Sequence, residues 1–194
     1  MKVVLISGKM GSGKTTLQKA LSEAWFSKHG TGAVILNFAD VLYEIHDEVL
    51  KVLYKWWPKR DLVKDGPLLQ MLGTDWGRKT IDENIWVKIL QIRAGVHNAR
   101  PDALVIVGDC RFENEFDAFP EALRVRLEAP EGVRKERCSM WRDNTTHPSE
   151  VSLDRHAANG LFDLYFATDI KSTAECVAAI LTTINTWNAG RVRP

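Results

Sequence analysis

The eight residues Gly8-Lys9-Met10-Gly11-Ser12-Gly13-Lys14-Thr15 constrain this chain more than any other feature. They match G-x-x-x-x-G-K-[ST], and the flanks agree: the apolar run Lys2–Ser7 enters the motif as a buried strand, and an amphipathic stretch leaves it. From Lys14 to about Lys28, the side chains of Leu17, Ala20, Leu21, Ala24 and Trp25 fall on one helical face. Strand, glycine-rich turn and helix in that order dictate an α/β fold with the turn at the carboxyl end of a strand. The glycines let backbone N–H groups turn inward around phosphate oxygens, and the helix start adds the positive end of its dipole. Gly8, Met10, Gly11, Ser12, Gly13, Lys14, Thr15 and Thr16 are therefore candidate triphosphate-binding residues. Lys14 is placed to reach the β- and γ-phosphates, and the Thr15 hydroxyl to ligate magnesium.

Short apolar runs alternate with longer helical patterns along the rest of the chain, as in a parallel sheet covered by helices. Ala33–Phe38, Ala103–Asp109, Leu123–Glu128 and Leu164–Ala167 read as further strands. Residues 40–98 read as mostly helical, broken at Pro58 and at the Asp65-Gly66-Pro67 turn. Thr80-Ile81-Asp82-Glu83 fits a capping box, which predicts a helix from there to about Asn98, and Arg100-Pro101-Asp102 reads as a turn. Phe112–Ala122 reads as a short helix, Arg134–Arg142 as a basic helical piece, Asp143–Ser149 as a polar loop, Ala174–Trp187 as a last helix and Arg191–Pro194 as a tail. With no repeat and no dividing linker, residues 1–194 read as one domain.

Lys plus Arg number 26 and Asp plus Glu 25, so the net charge is +1. Such a balance supplies no whole-molecule field to hold nucleic acid or a membrane surface, although a few placed arginines suffice for a small anion. Cys110, Cys138 and Cys176 lack any CxxC spacing, which favours reduced thiols in a cytoplasm over a disulfide frame. The apolar start breaks at Ser7-Gly8, short of a signal h-region or a membrane span.

Val105-Ile106-Val107-Gly108-Asp109 is an apolar strand ending in a carboxylate, the pattern that sets an Asp beside magnesium downstream of a phosphate loop. Arg111 follows just past that strand end, where side chains face the ligand crevice; a salt bridge to Glu113 or Glu115 is the competing reading. The cluster Arg134, Lys135, Arg137 and Arg142 reads either as a lid that closes over a migrating phosphoryl group or as a solvated helix face. Trp56, Trp57 and Trp86 read as core, with an interface in the Tyr54–Trp57 region as the other possibility. Trp76, in the polar Thr74–Arg78 segment, is a candidate for stacking on a base. Oligomeric state is open between monomer and homodimer.

Four stretches together resemble one group of proteins. They are Phe38-Ala39-Asp40; Leu68-Leu69-Gln70-Met71-Leu72-Gly73-Thr74-Asp75-Trp76-Gly77-Arg78 with Asp82 and Trp86-Val87; Asp109-Cys110-Arg111-Phe112-Glu113-Asn114-Glu115; and His147-Pro148-Ser149-Glu150. With the phosphate loop they resemble the bacteriophage-type deoxynucleoside monophosphate kinases over nearly the whole chain. Animal phosphomevalonate kinase is similar in the loop and the D-x-R segment. The resemblance implies a three-layer α/β/α fold on a parallel five-stranded sheet of order 2-3-1-4-5, with a helical monophosphate-binding part after strand two and a basic lid at about residues 131–150. It implies ATP as donor, magnesium as cofactor and a deoxynucleoside monophosphate as acceptor. By the same carry-over Arg78 and Arg111 grip the acceptor phosphate, and Asp40 and His147–Glu150 line the nucleoside site. Arg134 and Arg137 belong to the lid, and the donor base lies near Ala167-Thr168-Asp169. No N-K-x-D base-reading motif is present, which disfavours a GTPase switch. A kinase of another phosphorylated acceptor, of the phosphomevalonate type, and a P-loop ATPase acting on a partner are the remaining alternatives. A nucleoside or shikimate kinase is disfavoured, because arginines placed for an acceptor phosphate would then lack a purpose.

Overall fold

Val4 and Ile6 turn to one face of the first strand and Val3 and Leu5 to the other, and all four are buried. A strand covered on both faces belongs inside a sheet with helices above and below. The computed structural model describes residues 2–57, 64–97, 103–139, 141 and 147–186. The expected breaks at Pro58 and Arg100–Asp102, the lid residue Arg142, the loop at 143–146 and the tail lie outside the described residues.

β1 (Lys2–Gly8) is the central strand. It pairs in parallel with β3 (Leu104–Cys110) on one side and β4 (Leu123–Glu128) on the other. β2 (Val34–Leu36) lies beyond β3 and β5 (Leu164–Ala167) beyond β4, all parallel, so the order is 2-3-1-4-5 as expected. The helices are α1 (Lys14–His29), α2 (Asp40–Trp56), α3 (Gly66–Gln70), α4 (Ile85–His97), α5 (Glu113–Phe116), α6 (Glu131–Arg137), α7 (Pro148–Val151), α8 (Asp154–Ala158) and α9 (Thr173–Thr186). A π-helical segment, Met71–Ile81, joins α3 to α4.

On one face Leu17, Leu21 and Trp25 of α1 and Val177, Ile180 and Ile184 of α9 pack on Val4, Ile6, Leu104, Ile106 and Val125. On the other, Val87, Leu90 and Ala94 of α4 join Phe116, Leu153 and Phe162 against Val3, Leu5, Val105 and Val107. Each fully buried aliphatic side chain in these layers contributes about 2 kcal/mol of transfer free energy. No helix among the described residues is long and apolar enough to cross a membrane.

Several sequence expectations are corrected. Thr80 and Ile81 close the π-helical segment instead of capping the next helix; the Thr80 hydroxyl donates to Asp75 O at 2.8 Å. Asp82 supplies the turn into α4, accepting the Asn84 N–H at 2.8 Å on its side chain and the Ile85 N–H at 3.0 Å on its carbonyl. Asp65 is a helix N-cap, accepting the Leu68 N–H at 3.0 Å, so Asp65-Gly66-Pro67 opens α3. The helix expected at Phe112–Ala122 is a single turn, α5. The helical tract of the basic piece starts earlier than expected, at Glu131. Trp86 is core, with its indole N–H on Gly73 O at 2.9 Å, but Trp56 and Trp57 are 78% and 61% exposed. In β4 the alternate residues Arg124 and Arg126 are buried, although alternation usually marks a solvent face. Arg124 donates to Phe116 O and lies over the Phe116 ring, and Arg126 donates to Ser7 Oγ and Asp154.

Candidate active site

The sheet order reverses direction at β1, so a crevice opens at the carboxyl ends of the strands, between the connections that leave β1 and β3. A cleft of about 910 Å³ fills it. Met10, Gly11, Gly13, Lys14, Thr15 and Thr16 line it at the phosphate loop. From the β2 and β3 side come Asn37, Asp40, Tyr43, Asp109 and Arg111; from α6 and the β5–α9 connection come Arg137, Cys138, Thr168, Lys171 and Thr173. One cleft thus spans both sides of the loop. Among the candidates, Gly8, Ser12, Trp76, Arg78, Arg134, His147 and Glu150 are not part of its lining.

Close approach constrains glycines in and beside the loop. Gly11 has φ +78°, and a Cβ there would lie 2.4 Å from Arg134 O, so α6 rests directly on the loop. A Cβ on Gly108 would fall 1.9 Å from the Gln18 amide. That amide donates to Asn37 Oδ1 at 3.1 Å, which ties α1 to the end of β2.

Lys14 turns its ammonium onto the loop itself, donating to Gly8 O at 2.6 Å and Lys9 O at 2.9 Å. Burial, and after it the Arg111 charge, lowers its pKa to about 7. The Asp109 carboxylate accepts the N–H groups of Phe38 and Ala39 at 2.9 and 3.0 Å, clamping the entry to α2 against the end of β3. Burial raises its pKa to about 6 in spite of those bonds. The Asp109 carboxylate lines the same cleft as the Thr15 hydroxyl, and these two oxygen-bearing residues would hold a divalent cation.

Arg111 pairs with neither acid expected from sequence. Its side chain donates to Glu150 and to Ser149 O (3.2 Å), while its backbone N–H goes to Glu115 at 2.8 Å. Arg78 donates to Glu115 at 2.7 Å and stacks over Phe112. Glu115 is 2% exposed, and burial, then the Asp109 charge, raises its pKa to about 7. Asp40 closes its own turn, accepting the Asn37 N–H at 2.7 Å. His147 caps α7 by accepting the Ser149 N–H at 3.2 Å.

The two lid arginines differ. Arg134 is buried, donating to Ala129 O at 3.1 Å and Met10 O at 3.2 Å, so it buttresses the loop from behind. Arg137 is exposed and grips Thr168 through Oγ1 and O at 3.1 and 3.0 Å, bringing α6 to the β5–α9 connection within the cleft. Asn37, Tyr43 and Lys171 also line the cleft and were missed from sequence. Asn37 could have been found, since a polar side chain ending a buried strand at its carboxyl end faces the crevice. Tyr43 and Lys171 carry no such signal.

These shifts predict how ligand-free stability varies with pH. Between about pH 4 and 7 the folded protein binds more protons than the unfolded chain at Asp109 and Glu115, so their contribution falls as pH rises. Between about pH 7 and 10 the unfolded chain keeps the Lys14 proton that the folded state has released, so that contribution rises with pH. Urea midpoints at about pH 5.5, 7 and 8.5 should dip at the middle value, and Lys14→Met should remove the rise on the alkaline side.

No protein-family model and no curated protein sequence matches the chain. Solved structures do match in fold. The Thermus thermophilus protein TT1252 superposes with a TM-score of 0.60 at 17% identity, covering 97% of this chain and 98% of that one. Shikimate kinase from Aquifex aeolicus gives 0.54 at 15% identity, covering 95% and 96%. A gluconokinase from Sinorhizobium meliloti gives 0.52 at 14%, covering 95% and 92%. The chain therefore shares the three-layer α/β/α fold of these structures.

Proposed function

We propose that the protein is a kinase that transfers the γ-phosphoryl group of ATP to the phosphate of a deoxynucleoside 5'-monophosphate. The observation that carries this reading is the single cleft that continues past the phosphate loop to Asp109 and Arg111 on one side and to Arg137 and Thr168 on the other. A triphosphate site alone needs only one of these sides. That two structures of the same fold are, by name, kinases of small acceptors supports phosphoryl transfer. The resemblance in Leu68–Arg78, Asp109–Glu115 and His147–Glu150 supports the monophosphate acceptor.

In this reading the loop N–H groups and Lys14 hold the β- and γ-phosphates, and the donor base lies toward Arg137 and Thr168. Arg111 grips the acceptor phosphate, which suits a guanidinium fork. Asp40 lies on the acceptor side, and Arg78 reaches the same phosphate if it leaves Glu115. An acceptor phosphate oxygen attacks the γ-phosphorus in line. The bond from that phosphorus to the β–γ bridging oxygen breaks, and ADP leaves with the electron pair. Magnesium, held by Thr15 and Asp109, would neutralise charge on the donor phosphates. No strong general base is required, because a phosphate oxygen is already nucleophilic near neutral pH, so charge neutralisation and alignment carry the rate.

A second reading keeps the chemistry and changes the acceptor. It is favoured by the pairing of Arg78 with Glu115, which leaves Arg111 as the arginine among the described residues on the acceptor side of the cleft. A coupled assay for ADP with ATP and each deoxynucleoside and ribonucleoside monophosphate, phosphomevalonate, shikimate and gluconate separates the two. At least one deoxynucleoside monophosphate is expected to raise ADP release by about 100-fold or more over ATP alone. ADP release indifferent to every acceptor would leave a P-loop ATPase.

A further inference from the structure

Glu150 is in contact with both halves of the site without lining the cleft. One carboxylate oxygen accepts the Met10 N–H of the phosphate loop at 2.9 Å, and the other accepts the Arg111 guanidinium. The same arginine nitrogen donates to Ser149 O at 3.2 Å, so α7 offers it two acceptors side by side. Glu150 is the enclosed member of the pair, its side chain 7% exposed against 28% for Arg111. Its backbone is fixed by the His147 cap and by its own N–H on His147 O at 2.8 Å. A second tie runs alongside, from Lys9 of the loop to Asp154 on α8 at 2.8 Å.

We propose that Glu150 is a positioning residue that sets the register of Arg111, and through it of the acceptor phosphate, against the loop that holds the donor. The inference rests on the phosphoryl-transfer reading above, and it departs from the nucleoside-lining role that the resemblance implies for this glutamate. A carboxylate can accept from an N–H and a guanidinium at once through its two oxygens. A carboxamide keeps one of these partners and turns its own NH₂ toward the other donor. The Arg111 cation would remain and still attract the acceptor dianion, but its alignment with the loop would be lost. Misplacement by about an ångström is enough to lower a transfer rate by about 10²-fold.

Steady-state kinetics of Glu150→Gln on every accepted monophosphate tests this. The expected result is a fall in kcat of about 30-fold or more, with the acceptor KM within about threefold of wild type and the same loss for each base. In an Arg111→Met background the same substitution should change the residual kcat/KM by less than about threefold. A loss that depends on the base, or one that persists in full in the Arg111→Met background, would overturn the proposal, as would a wild-type kcat. Should the glutamine variant fail to fold, Glu150→Asp keeps the charge one methylene short of spanning both partners and should show the same split between kcat and KM. If wild type turns over no monophosphate, the phosphoryl-transfer reading fails and the inference with it. Wild-type turnover with an unimpaired Glu150 variant removes the inference alone.

Discussion

Lys14→Met is expected to lower turnover by about 10³-fold. The ammonium rests on Gly8 O and Lys9 O of the loop, and it is the group that would meet the charge developing between the β- and γ-phosphates. Methionine keeps the apolar stem and removes the charge. The fold should therefore survive, with Tm within about 4 °C of wild type near pH 7, because the lost cation sits in surroundings that already push its pKa down to about 7. Wild type should gain stability on adding ATP, and the variant should gain little, since that gain tracks affinity by mass action. A differential scanning measurement with and without ATP, run beside the coupled assay, checks both halves. A variant that turns over normally would remove Lys14 from the chemistry.

The second large effect is at Arg111. Arg111→Ala is expected to lower kcat/KM for the acceptor by about 10²- to 10³-fold. Unlike Lys14→Met it should also destabilise, by about 2 kcal/mol, because Glu150 is left buried with the Met10 N–H but without its countercharge. Arg111→Lys should recover less than about tenfold of the activity. A single ammonium cannot hold Ser149 O and Glu150 and also present a fork to a phosphate. Denaturant titration of both variants beside their kinetics distinguishes the site role from the scaffold role. Arg111→Ala with full activity would end the assignment of an anionic acceptor to this side of the cleft.

Much of the fold was legible in local sequence. Lys2–Ser7, Gly8–Thr15 and the Leu17/Leu21/Trp25 stripe specify strand, turn and helix within a short span, because each depends on local periodicity and on glycines at particular backbone angles. Leu123–Glu128 and Leu164–Ala167 were bounded to the residue for the same reason. The π-helical segment was legible only as part of a mostly helical stretch, because its wider hydrogen-bond register is not set by the apolar pattern. Trp56 and Trp57 show the opposite failure: an apolar pattern says a residue is suited to burial, and only the packing of neighbouring elements decides whether anything covers it.

At the site the division is sharper. Sequence alone determined that a glycine-rich loop follows the first strand, that Lys14 and Thr15 open the helix behind it, and that a carboxylate at 109 and an arginine at 111 come at the end of a buried strand nearby. Those are statements about single segments, and short-range geometry decides them. Which charges neutralise which was decided only by the tertiary structure. Arg111 passes over nearby Glu113 and Glu115 and reaches Glu150, Arg78 takes Glu115, and Arg134 turns from the cleft to hold the loop from behind. Ion pairs form between groups that the fold brings within a few ångströms, whatever their separation along the chain, and Arg111 and Glu150 are 39 residues apart. The candidate groups could be read from the chain, whereas their alignment depends on where the fold brings α7 against the loop.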